Sequence, residues 1–507
     1  MHVRSSANIS ALKNGDIVEN IIRHANYVQI QDEPDMGHQE RFVNLALVCR
    51  SWYTIVKYEL YKSLVIEPKK TKSKNVTWRS NLPSIVAAGM QHRVIHLCLG
   101  GPLITERATL IDVIQGLGVH HHRLSNLCSI LIMTCHGYAE FPRVGIVCQL
   151  ISTYLLQLFP HVFSVTPTTS GNLSTVPANI YYNLIVMLAD SISKITVDGF
   201  ILRSIPHVHF QNLTNIRIID PSEGTASRTM RVNPSTLKTI EIVNSSSNFP
   251  WGMFGDASNP IVFPNVEQLI MRTFQNCHVY PATQIGRFKL QFPRLWSLCL
   301  MEALDSYTDA LDLVKISSIG SLVILDDANK LQRLNPKLVR NIHEFCIGDS
   351  QRTQIPVLDK NGFFVKIFDI PAKLNKVTLS LPQSDFPPIK DAKWPMLRSL
   401  RLIAHSISLQ TIEMFMMQLP RMHTLDLSMS HSDQQASDEV VCSRETPLST
   451  SVLVFGLKIA FPTLRDKTWL LMATRRLPEL YKLVLSKRFD VDKAALRRVY
   501  KNGLAFV

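Results

Sequence analysis

The pattern L-x-x-L-x-L, with Ile, Val, Met or Phe standing in for Leu, recurs along this chain and constrains its fold more than any other feature. The first copies are VIHLCL (94–99), LCSILI (127–132), ISKITV (192–197), LTNIRI (213–218), LKTIEI (237–242), VEQLIM (266–271) and LWSLCL (295–300). They continue as IGSLVI (319–324), IHEFCI (342–347), LNKVTL (374–379), LRSLRL (397–402), MHTLDL (422–427) and LYKLVL (480–485). Several share a lead-in of one large apolar residue and a proline: Phe263-Pro264, Phe292-Pro293, Trp394-Pro395, Leu419-Pro420 and Leu477-Pro478. The fourth positions of neighbouring copies lie 21 to 33 residues apart, except across Ile130 to Ile195 and Leu425 to Leu483, which are about twice as long. Each long interval predicts a hidden degenerate copy, the first at HVFSV (161–165).

Between the copies the apolar period is helical, as in 110–117, 147–159, 181–191, 411–420 and 469–476. One strand and one helix cannot bury their apolar faces alone, so such units must stack on their neighbours. The pattern resembles irregular leucine-rich-repeat proteins of the ribonuclease-inhibitor-like type over roughly residues 90–490. That resemblance implies an α/β solenoid with a parallel sheet on its concave face. The chain departs from the family in having no uniform Asn after the strand, where Gly100, Asp220, Asn244, Arg272 and Asp349 stand instead. The stripe Met414, Met416 and Met417 is expected to fill the core rather than hold a ligand.

Side chains alternate along a strand, so the residue between the last two apolar positions of each copy faces the concave surface. In order these residues are Cys98, Leu131, Thr196, Arg217, Glu241, Ile270, Cys299, Val323, Cys346, Thr378, Arg401, Asp426 and Val484. Seven of the thirteen are apolar or Cys and only two are basic, which suits contact with protein better than with phosphate. Arg217, Glu241, Ile270, Cys299, Arg401 and Asp426 are the candidate substrate-binding residues; the alternative is that loops or a terminal tail cover this face.

Charge supports that choice. Residues 62–79 carry six basic residues against Glu67, a net +5, and residues 465–507 carry eleven against four acids, a net +7, out of +14 for the chain. The middle is close to neutral, and a nucleic-acid groove along the whole molecule is disfavoured. The nine cysteines contain no C-x-x-C, and three adjacent histidines, His120 to His122, cannot converge on one ion, so no metal or other cofactor is expected. No run of about 18 apolar residues predicts a transmembrane segment. The N-terminus also lacks the apolar core of a secretory signal, so the reading is an intracellular protein, cytoplasmic or nuclear. No H-E-x-x-H, G-x-S-x-G or Walker-type loop is present, and an enzyme is not expected.

Ahead of the repeats, DIVENIIRHA (16–25) groups Ile17, Val18, Ile21 and Ile22 on one helix face. After a polar loop, LALVCRSWYTIVKYELYKSLVI (45–66) supplies two more short helices and an exit into a strand. Three short helices have little core of their own. They fit either a cap on the first repeat or a head that completes its burial on a partner. The pieces I-V-E-N-I-I, L-A-L-V-C-R-S-W-Y and L-Y-x-S-L-V-I resemble the F-box, the module that binds the Skp-type adaptor of SCF ubiquitin ligases. By that resemblance Ile17, Val18, Ile21, Ile22, Leu45, Val48 and Trp52 are divided between the module's own core and the adaptor interface. Lys13-Asn14 stands where the family's opening Leu-Pro would be, and the first loop is longer than usual.

The expected organisation is an F-box-like helical module at 8–66, a basic linker and entry helix at 67–92, a leucine-rich-repeat solenoid at 93–490 and a basic tail or cap at 491–507. The resemblance implies a substrate-recognition subunit of an SCF-type E3 ligase, with a Skp-type adaptor, a cullin scaffold and an unidentified protein substrate as partners. The alternative is a leucine-rich-repeat scaffold or adaptor without a ubiquitin ligase role. A third reading, binding to nucleic acid or an anionic membrane, rests only on the two basic segments.

Overall fold

A computed structural model describes residues 61–70, 76–99, 117–119, 123–132, 145–167, 175–198, 208–220, 230–231, 233–244, 251–254, 261–273, 291–301, 319–326, 340–349, 363–370, 372–385, 392–432, 447–485 and 505–506. The chain forms two compact units, Met1–Leu237 with Pro250–Gly255, and Lys238–Phe249 with Asp256–Val507. Each is built on a parallel sheet whose strands are the repeated six-residue pattern.

In the first unit the strands are β1 (Ser63–Lys70), β2 (Val76–Ser80), β3 (His96–Leu99), β4 (Ser129–Ile132), β5 (Ser164–Pro167), β6 (Lys194–Asp198) and β7 (Asn215–Ile219). From β1 through β3, β4, β5 and β6 to β7, every neighbouring pair is parallel. The stretch read as a basic linker begins as a hairpin, because β1 runs on past the repeat and pairs antiparallel with β2, Glu67 opposite Arg79. The entry helix follows as α1 (Leu82–Ala87). Asn81, between β2 and α1, accepts from the Val65 N–H and donates to the Ser63 carbonyl, each at 2.9 Å. Its amide thus serves β1 as a short stand-in for a neighbouring strand. Gly89, at φ +67°, ends α1. The Met90 N–H reaches the Ile85 carbonyl and the Gly89 N–H the Val86 carbonyl, both at 3.0 Å, a pair of bonds that needs the left-handed residue glycine supplies.

The predicted copy at 161–165 is β5, which pairs with β4 through Ile130 and Val165. Its contact with β6 is short, Ser164 to Lys194 and Val165 to Ile195, since Pro167 brings no N–H. Helices α2 (Gly145–Leu158) and α3 (Thr175–Met187) realise the predicted helical stretches around them. The fully buried hydroxyl of Tyr181 on α3 closes the gap, accepting from the Thr196 N–H at 3.1 Å and facing the carbonyls of Val165 and Thr196.

In the second unit the strands are β8 (Thr239–Asn244), β9 (Gln268–Thr273), β10 (Ser297–Met301), β11 (Ser321–Asp326), β12 (Glu344–Asp349) and β13 (Lys376–Asp385). They continue as β14 (Ser399–Ile407), β15 (Thr424–Ser432), β16 (Val454–Ile459), β17 (Lys482–Leu485) and β18 (Ala505–Phe506). Each is parallel to the next. The copy hidden between Leu425 and Leu483 is β16, with Phe455 opposite both Leu425 and Leu483.

A single backbone device starts every pairing in this unit from β8–β9 to β16–β17. The carbonyl of the residue before a strand accepts two successive N–H groups from the start of the next copy. Lys238 accepts from Glu267 and Gln268, Trp296 from Gly320 and Ser321, and His423 from Leu453 and Val454, at 2.8 to 3.1 Å. The proline lead-ins set the approach. Phe292, Trp394, Leu419 and Leu477 each accept from the N–H three residues on, at 3.1 or 3.2 Å, closing a turn with proline in its second place, which its fixed φ suits. The apolar residue ahead of the proline is turned inward, 0 to 2% exposed in Phe263, Phe292, Trp394, Leu419 and Leu477. Successive lead-ins touch, as Phe263 stacks on Phe292 at 5.1 Å.

The helical layer of the second unit includes α4 (Phe363–Phe368), α5 (Leu409–Gln418) and α6 (Leu464–Arg475). Phe368 stacks on Trp394 at 4.2 Å and meets Phe415 of α5 at 5.2 Å. Helix α6 starts earlier than its apolar run suggests because Thr463 and Asp466 form a reciprocal capping box that satisfies its first turn. Glu413 of α5, 4% exposed, accepts from the Trp469 indole of α6 at 2.8 Å. The methionine stripe divides: Met414 and Met416 are core, whereas Met417 is 47% exposed, because α5 is buried nearly all round and Met417 stands two turns from exposed Gln410 on its one open side.

Two outcomes follow from this packing. Ending the chain after Met429 removes β16, α6 and β17, bares the apolar edge of β15 and takes Trp469 from Glu413, so the remainder aggregates or melts at clearly lower temperature in scanning calorimetry. Tyr181→Phe leaves buried backbone groups without their partner and lowers stability by about 1–3 kcal/mol in urea titration; an unchanged midpoint contradicts the bridging role.

Candidate functional site

Alternation along each strand sends the fourth and sixth positions of the pattern into the core and the fifth to the opposite face. The exposure shows it: in β14, Leu400 and Leu402 are fully buried while Arg401 between them is exposed. The parallel pairings then set the fifth positions side by side. In the second unit the row runs Glu241, Ile270, Cys299, Val323, Cys346, Thr378, Arg401, Asp426, Gly456 and Val484, one residue per strand from β8 to β17. In the first unit Val65, Cys98, Leu131 and Thr166 are lateral neighbours, and Thr196 stands beside Arg217. Thr166 and Gly456 belong to the two degenerate copies and have no leucine pattern of their own strength.

Of the candidate substrate-binding residues, Arg217 therefore stands in the first unit and Glu241, Ile270, Cys299, Arg401 and Asp426 share one row in the second. This row has charged flanks and an apolar middle. Glu241 faces Arg272 Nε at 3.1 Å. Ile270, Val323 and Cys346 are half-buried, and Cys299 is 7% exposed, forming an apolar floor. Beyond Thr378, Asp426 lies between Arg401 Nε at 3.4 Å and Lys458 Nζ at 3.7 Å. Arg272 and Lys458 were not among the sequence candidates, yet each stands two residues past its row position, and the period of two places it on the same face. Their visible signal is that period, continued beyond the apolar pattern.

Burial pushes the Cys299 thiol up to about 11, with Arg272 pulling the other way and Cys346 and Glu241 adding to the rise. In the first unit burial pushes Cys98 up to about 12 against a hydrogen bond from Ser63. These thiols behave as small hydrophobes in the floor of the sheet rather than as nucleophiles.

The adaptor candidates Ile17, Val18, Ile21, Ile22, Leu45, Val48 and Trp52 lie outside the described residues, as do His120, His121 and His122. Among the described residues no cluster of His, Cys, Asp and Glu is arranged to hold a metal ion, and no helix is long and apolar enough to cross a membrane.

No family model and no curated protein matches the chain. Among solved structures it is similar to a chain of the Rad7 and Elc1 complex in yeast, with 10% identity and a TM-score of 0.34, covering 80% of this chain and 88% of that one.

The raised thiols have a measurable consequence. At pH 8 both are protonated in the native protein, so Cys98 and Cys299 should alkylate with iodoacetamide at least about a hundredfold more slowly than in the unfolded chain, read by peptide mass spectrometry. Labelling of either at the unfolded rate contradicts this burial.

Proposed function

We propose that this chain is a substrate-recognition subunit of an SCF-type E3 ubiquitin ligase. Its F-box-like head binds the Skp-type adaptor through Ile17, Val18, Ile21, Ile22, Leu45, Val48 and Trp52, and the adaptor joins it to a cullin scaffold. The leucine-rich-repeat body binds a protein substrate on the row containing Glu241, Ile270, Cys299, Arg401 and Asp426, and on Arg217. The chain performs no covalent step itself. It raises the effective concentration of substrate beside a ubiquitin-charged enzyme.

The observation that carries this reading is the junction of motif and repeat. Ten residues separate the V-C-R-S-W stretch at 48–52 from β1, whose Leu64 and Ile66 are fully buried as the first layer of the repeats. A motif resembling an adaptor-binding one, a short way ahead of a repeated sheet with a half-apolar, half-charged face, suits a protein that brings two partners together. A scaffold without ubiquitin transfer is the second reading, favoured by Lys13-Asn14 in place of the opening Leu-Pro.

The test is co-purification of the full chain with the adaptor. Wild-type protein should capture it. Val48→Asp combined with Trp52→Ala should lose it, with the thermal unfolding of the repeats unchanged, because a lone buried carboxylate is costly at an apolar contact. Adaptor capture by the folded double variant overturns the F-box assignment, and a wild-type chain that captures no adaptor or cullin establishes the scaffold instead.

A further inference from the structure

The face assigned to substrate contains one cation whose geometry is set to receive an additional carboxylate. Asp426 holds Arg401 from the side, through Nε at 3.4 Å, and the Arg401 side chain is 53% exposed. Among the described residues nothing binds its two terminal nitrogens. Those nitrogens form the planar fork that grips a carboxylate with two parallel hydrogen bonds. A guanidinium already oriented by one acid loses less freedom on meeting another.

The surroundings reinforce the assignment. Gly456 lies laterally opposite Asp426, and a Cβ there would stand 2.5 Å from Asp426 Oδ1. The missing side chain leaves room for the carboxylate to lean across β16 toward Lys458. One carboxylate therefore serves two cations. Lys376, on the same face of β13, stands opposite Glu344, which offsets it. The positive surplus is thus centred on Arg401 and Lys458. Arg401 and Lys376 both draw down the Cys346 thiol, which burial raises, and this marks them as close to the apolar floor.

That floor fixes the rest of the ligand. Cys346, Val323, Cys299 and Ile270 follow one another in lateral register away from Arg401. Five strand intervals separate Ile270 from Arg401. At about 4.8 Å per interval they span roughly 24 Å, the reach of about seven residues of extended chain. A phosphate backbone does not fit such a face, because Asp426, Glu344 and Glu241 repel it and the floor has no hydrogen bonds to offer.

We propose that the second unit binds an extended peptide segment of its partner protein, with apolar side chains over Ile270 to Cys346 and an acidic side chain gripped by Arg401. This deepens the substrate-receptor reading by stating the chemistry of the segment received.

The test is selection of a random seven-residue display library on the full-length chain, followed by fluorescence anisotropy with the enriched peptides. Enriched sequences should place apolar residues before or after a terminal Glu or Asp. Replacing that acid with its amide should weaken Kd by tenfold or more. Arg401→Gln should abolish the preference for acid over amide, Arg401→Lys should retain only part of it because the charge remains and the fork does not, and Ile270→Asp should weaken both peptides. Each variant is checked for an unchanged unfolding temperature. Equal Kd for the acid and amide peptides, a preference that survives Arg401→Gln, or no enrichment over the Arg401→Gln chain overturns the inference. Adaptor capture is a separate reading on the same protein: acid-selective binding without adaptor capture leaves this inference standing and removes the ligase role, whereas adaptor capture without acid selectivity does the reverse.

Discussion

The carbonyl ahead of each strand from β8 to β16, shared by two N–H groups of the following copy, is the interaction on which the rest of the second unit depends. Parallel strands cannot be joined by a tight turn and need a long crossover, so nothing local fixes their register. The crossovers here vary widely in length. The shared carbonyl makes that variation harmless, because each strand begins pairing at the same place however far its chain has travelled. A slip of one residue would exchange core and surface along a whole strand. The consequence is a core in which Leu298, Leu322, Phe345, Val377, Leu400 and Leu425 line up behind the sheet, all at 0 or 1% exposure.

Where the repeat is imperfect, single side chains replace what the backbone does not supply. Tyr181 fills the gap where Pro167 ends the pairing of β5 with β6, and Asn81 completes the start of β1. On the helical side the proline turn drives a large apolar residue inward at the five copies that have it, and aromatic contacts join neighbouring copies. Glu413 and Trp469 perform a similar task with a buried polar pair between α5 and α6. A buried carboxyl group is costly unless it is hydrogen-bonded, and the indole N–H is the donor that meets its Oε1.

The same register that builds the core composes the face opposite it. Residues a full copy apart in sequence become lateral neighbours, and this adjacency turns isolated charges into Arg401–Asp426–Lys458 and isolated small hydrophobes into one apolar floor. Exposed ion pairs contribute little to stability, about 0–1 kcal/mol each. Their effect here is to hold the Arg401 guanidinium beside Asp426, the orientation on which the proposed peptide recognition rests. A protein segment of mixed character matches such a face better than a uniform polyanion does.

The sequence by itself determined the repeat, the strand positions and the side each residue faces, because alternation and apolar spacing are local properties of the backbone. It also carried the two degenerate copies as interval lengths and placed the first at 161–165, whereas the pairing of Phe455 with Leu425 located the second, and the pairings brought Thr166 and Gly456 into the rows. The hairpin of β1 and β2 was hidden in a stretch whose lysines read as linker, since its strands are identified by each other rather than by an apolar pattern. Which charges meet was left to the tertiary structure. Asp426 lies 25 residues from Arg401 and 32 from Lys458 along the chain, and only pairing across β14, β15 and β16, with no side chain at Gly456, brings the three together.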